Sequence, residues 1–110
     1  MTNEPTDPGF VAADRDGDGP VLVFTGDVTK DAVRRFQLMV PASQRPDRAD
    51  LTAATFLSSS AIDLLRHLAA RQARAGARLT IAVADPVVRH QLVATGITGV
   101  ASVRSIAAAG

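Results

Sequence analysis

Apolar residues recur along this chain at two periods, one suited to strands and one to helices. Val21-Leu22-Val23-Phe24 is a continuous apolar run, β-branched and aromatic, bounded by turn formers, and it predicts a buried strand. Phe10-Val11-Ala12-Ala13 is a short apolar run ahead of it. Asp14-Arg15-Asp16-Gly17-Asp18-Gly19-Pro20 lies between them and is dense in turn residues, so the two runs predict a hairpin. Thr25-Gly26-Asp27 predicts a turn. Ala32, Val33, Phe36, Met39 and Val40 then recur at helical spacing, with Arg34, Arg35 and Gln37 on the other side. Thr29 can cap that helix and Pro41 ends it. Residues 42–48 read as a polar loop and residues 51–57 as a weaker strand rich in Thr and Ala.

Ser58-Ser59-Ser60 opens the clearest helix. Ala61, Ile62, Leu64, Leu65, Leu68 and Ala69 share one face of it, and Asp63, Arg66, His67, Arg71 and Arg74 share the other. Gly76 suits the left-handed residue that ends helices, and Arg71 and Arg74 favour the negative end of the helix dipole. Residues 79–84 predict a further buried strand. Asp85-Pro86 is a helix start, an oxygen cap followed by proline at the first helical position. Val87, Val88, Leu92 and Val93 are its apolar positions, and Gly96 closes it. Residues 101–106 predict a last strand or short helix. Strands alternating with helices imply right-handed crossovers and a largely parallel sheet, with an antiparallel hairpin at the start. Residues 1–8 and 107–110 read as tails around one domain of residues 9–106.

Composition narrows the function classes. A chain of 110 residues holds one small domain. A formal net charge of +1, with no Trp or Tyr, argues against a dedicated nucleic-acid binder. The absence of cysteine excludes disulfide frameworks, zinc fingers and thiol chemistry. No apolar run approaches the roughly 20 residues of a membrane span. The acidic, Pro-broken start does not resemble a signal peptide, so a cytoplasmic location without membrane insertion is expected. Charge is uneven: residues 1–31 carry net −5 and residues 32–110 net +6.

The candidate chemistry is sparse. Asp14, Asp16 and Asp18 followed by Gly19 match the first half of a calcium loop, but its twelfth position is Thr25 where a bidentate glutamate is needed. A solvated hairpin turn is therefore expected there, with no metal and no cofactor. Asp63 and His67 are four residues apart and should form a surface ion pair. The serines lack the G-x-S-x-G elbow of hydrolases, so no catalysis is expected. The serine run is the informative feature. A hydroxyl at a helix N-terminus after a strand faces unpaired amides, which favour a phosphate; the alternative is that a serine simply caps the helix.

Three blocks resemble one family. Ala49-Asp50-Leu51-Thr52-Ala53-Ala54-Thr55-Phe56-Leu57-Ser58-Ser59-Ser60-Ala61-Ile62 resembles the stretch L-D-L-S-G-V-T-F-I-D-S-S-G-L of STAS domains, which include the bacterial anti-sigma factor antagonists. Phe24-Thr25-Gly26-Asp27-Val28 resembles the family's L-S/T-G-E-L, and Asp85-Pro86-Val87-Val88-Arg89 to Thr95-Gly96-Ile97 resembles its S-P-x-V-R…TGL. The blocks span about residues 10–106 in the family's order. The resemblance implies an α/β fold of the STAS type, a mixed four- to five-stranded sheet with helices packed mainly on one face. It implies a regulator that binds an anti-sigma factor, usually also a serine kinase, and is switched off by serine phosphorylation. The phosphoacceptor maps to Ser59, with Ser58 and Ser60 as alternates. Thr25, Gly26, Asp27, Thr29, Ser58, Ser60 and Ala61 map to the partner-binding region. Ser58 and Ala61 stand where the family carries Asp and Gly, Thr29 where it often carries Asp, and Ala53 where it carries Gly. Those departures keep a second reading open: a STAS adaptor or scaffold subunit that binds without being switched, as in a lipid-transport complex.

Overall fold

The computed structural model describes residues 9–106, so the tails expected at either end lie outside the described residues. β1 (Phe10–Asp16) and β2 (Gly19–Val28) form the hairpin. α1 (Lys30–Met39), β3 (Arg48–Leu57), α2 (Ser59–Arg74), β4 (Leu79–Val83), α3 (Pro86–Ala94) and β5 (Ala101–Ser105) follow, with short 3-10 turns at Ala42–Gln44 and Ile97–Gly99. The sheet order is β1-β2-β3-β4-β5. Only β1–β2 is antiparallel; the other three pairs are parallel.

This order explains the layering. When neighbouring parallel strands are joined in sequence by crossovers of one hand, every helix falls on the same face. Side chains of all three helices accordingly join one apolar cluster with Leu22, Phe24, Leu51, Leu79, Ile81 and Val83 of the sheet. The alternate positions, Val23, Asp50, Thr80, Ala82 and Arg104, are half-buried or exposed on the opposite face. The architecture is thus α/β, two layers, with a five-stranded mixed sheet.

The main helix turns the six residues expected of it inward, from Ala61 to Ala69. Thr29 caps α1 through its Oγ1, which accepts the Ala32 N–H at 3.1 Å. Asp85 caps α3, its Oδ1 accepting from Val87 and Val88. Gly76 takes the left-handed conformation after α2.

Four expectations are corrected. Residues 25–27 do not form a turn; β2 continues to Val28 because β3 follows it through two register shifts, near Leu51–Thr52 and Thr55. β3 begins at Arg48, not 51, because Arg48 and Asp50 occupy its open face while Ala49 and Leu51 face the core. Met39 is 80% exposed, since α1 ends there and its last turn overhangs the core. Val87 and Val93 are exposed as well; α3 presents only Val88 and Leu92 to the sheet.

One of the hairpin acids, Asp16, is tied to β3. Arg48 forms a bidentate pair with Asp16, Nη2 to Oδ1 at 2.5 Å and Nη1 to Oδ2 at 3.2 Å, and also donates to the Gly19 carbonyl. The guanidinium hydrogen bond holds the Asp16 carboxyl below its ordinary range.

Candidate functional site

β3 is twice the length of β4, and its register with β4 ends at Leu51–Val83. Its last six residues therefore project past the parallel ladder, flanked on one side by β2 and on the other by α3. At the tip, Leu57 has no strand beside it on the β4 side, and Gln91 of α3 takes that place. The Gln91 Oε1 accepts the Leu57 N–H at 2.9 Å, and its Nε2 donates to the Leu57 carbonyl at 2.8 Å. A side-chain amide mimics a strand's backbone and satisfies both groups of a residue only 1% exposed.

The next residue, Ser58, is held from the other side. Its N–H donates to the Val28 carbonyl at 2.9 Å. This bond joins the β3–α2 junction to the β2–α1 junction, so the serine run and residues 25–29 lie at one end of the sheet. Ser58 is the N-cap of α2: its Oγ accepts the Ala61 N–H at 3.2 Å, and its carbonyl accepts from Ile62. The three serines are thereby differentiated. Ser58 is engaged and half-buried. Ser59 is exposed, beside Phe56, Ile62 and Arg66. Ser60 is half-buried and turned toward α1, in a groove with Lys30 and Arg34.

Of the expected surface residues, Asp27 is exposed, and Thr25, Gly26 and Thr29 are half-buried. Thr29 uses its hydroxyl on the α1 cap. Ala61 is fully buried; its methyl packs into the core and is not part of any contact surface. Gly26 adopts φ +68, with the Gly9 Cα 3.3 Å from where its Cβ would lie. Gly9 in turn donates its N–H to the Asp27 carbonyl at 2.9 Å. Two glycine backbones in close approach thus fix the β2 end of the site.

Phe56, 48% exposed and register-paired with Asp27, was not singled out by the sequence. Its signal was the alternation that buries Leu57 and so turns Phe56 out. Gln91 also had one: it is a polar residue at i+3 in the stripe formed by Val88, Leu92 and Thr95. Asp63 and His67 are both exposed and form no ion pair, contrary to expectation. Neither histidine hydrogen-bonds to a serine among the described residues. No helix among them is long and apolar enough to cross a membrane.

No family model matches the chain, and no curated protein matches it significantly.

Proposed function

We propose that this chain is a cytoplasmic regulator of the STAS type that binds an anti-sigma factor with serine-kinase activity, and that phosphorylation of Ser59 ends the binding. The observation that carries the reading is the position of Ser59. It is the one exposed hydroxyl of the run, and it stands on a rim whose backbone is fixed from both sides by Gln91 and by the Val28 carbonyl. Phe56 lies beside it and Asp27 is in register with Phe56 on β2, so this end of the sheet offers a partner one large apolar side chain and one charge. Large aromatic anchors beside polar groups are the features that dominate protein interfaces.

The family-like blocks support the same reading, since two of them meet at this end of the sheet and the third begins at the cap of α3. A phosphate on Ser59 adds about −1.5 to −2 charges near neutral pH. Among the described residues, Arg66 is the cation beside it, and it already donates to the Thr95 carbonyl. A partner packed over Ser59 must then desolvate a charge that lacks a cationic partner, which opposes binding. Incubating the purified chain with host lysate and radiolabelled ATP, followed by site mapping, tests the acceptor. Label on Ser59 that vanishes in Ser59→Ala supports the switch. No label on any serine leaves the unswitched adaptor reading.

A further inference from the structure

The groove between α1 and α2 is lined by Ser60 and not by Ser59. It has a volume of about 420 Å³ and is lined by Lys30, Arg34 and Gln37 from α1 and by Ser60, Asp63 and His67 from α2. Lys30 is the chain's single lysine. Neither the Lys30 nor the Arg34 side chain makes a hydrogen bond or ion pair among the described residues. Both are therefore cations free to turn toward an anion in the groove, and packed helices lie close enough, about 8–10 Å between axes, for such side chains to span the gap.

We infer that Ser60 is a second phosphorylation site whose phosphate is captured within the chain by Lys30 and Arg34, clamping α1 to α2. This rests on the reading of the serine run as a kinase target. In the transfer, the Ser60 Oγ forms a bond to the terminal phosphorus of a nucleoside triphosphate, the bridging P–O bond breaks, the nucleoside diphosphate leaves, and the hydroxyl proton passes to the kinase's base. Adjacent serines then have opposite effects. A phosphate on Ser59 has the first-turn amides of α2 but no cation paired with it, and faces the partner. A phosphate on Ser60 is paired across the groove and stiffens the helix pair on which the site stands.

The test places phosphoserine at position 60 or 59 during translation, so its result does not depend on whether a host kinase acts on this chain. Phosphorus NMR then follows the second ionisation of each phosphate. Lys30 and Arg34 face it from α1, and Asp63 and His67 from α2; His67→Gln is carried in every sample so that the groove itself holds no imidazole. The Ser60 phosphate is expected to titrate roughly half a unit to one unit below the Ser59 phosphate. Combined Lys30→Ala and Arg34→Ala should abolish that difference without moving the Ser59 value. Thermal melting of the same samples should rise with phosphate on Ser60 only when both cations are present. Equal titration of the two phosphates, or a lowered Ser60 value that survives loss of both cations, overturns the inference. So does loss of cooperative melting on phosphorylation of Ser60.

Discussion

Replacing Gln91 with leucine keeps the side chain's size and removes both hydrogen bonds to Leu57. The Leu57 N–H and C=O then lose their partners at a position 1% exposed. A buried backbone group left unsatisfied costs about 1–3 kcal/mol. Gln91 itself is half-buried, so water can recover part of the loss, and the two groups together should cost about 2–4 kcal/mol. For a domain of this size that is a fall in melting temperature of roughly 8–20 °C. Gln91→Glu separates the two bonds: the carboxylate still accepts from the N–H but has no proton for the carbonyl, so its loss should be intermediate at neutral pH and shrink in acid. The assay is thermal denaturation followed by circular dichroism. Melting of Gln91→Leu within about 3 °C of the parent would refute the claim that α3 substitutes for a strand at the tip of β3.

Leu65→Ala should destabilise by about 2–5 kcal/mol as a fully buried position on α2, whereas Arg66→Ala, losing one surface bond to the Thr95 carbonyl, should cost about 1 kcal/mol or less; equal shifts in urea midpoint would mean the helix facing is wrong. Gly9→Ala places a methyl 2.2 Å from the Thr25 carbonyl oxygen and 2.4 Å from that of Asp27, so the β2 end must shift, with a loss of about 1–3 kcal/mol in chemical denaturation. The Asp16 carboxyl is held below its ordinary range by Arg48, so its contribution is present at neutral pH and lost only as pH falls through the depressed value. Asp16→Asn should therefore flatten the acid limb of the stability profile below about pH 4 and leave its shape between pH 5 and 8 unchanged; a change confined to the neutral range would contradict the assignment.

α2 was legible because its two faces are chemically unlike over four turns, so one stripe alone can be buried. α3 was not, since apolar residues occupy both sides of its nine positions and only the sheet decides which are covered. β3 was read three residues short because Arg48 and Asp50 look like loop residues unless their alternation with Ala49 and Leu51 is counted. The turn residues of β2 misled for a different reason: a bulged partner lets a strand carry Gly and Asp without ending. At the candidate site, the serine run and its helix start were visible in the sequence. Which serine was free was not, because the hydroxyl used as the cap is decided by where the helix begins. The Gln91 clamp joins residues 34 positions apart, which local pattern cannot pair.

The central claim is that the charge state of Ser59 governs partner binding. Immobilised Ser59→Ala and Ser59→Asp chains, both first shown to melt like the parent, are incubated with lysate of the source organism, and bound proteins are quantified by mass spectrometry. Ser59→Ala is expected to retain a protein with an anti-sigma factor's kinase domain, and Ser59→Asp to lose it by about tenfold or more, a difference of roughly 1.4 kcal/mol. Equal recovery of such a protein on both chains, or its absence from both, would contradict it.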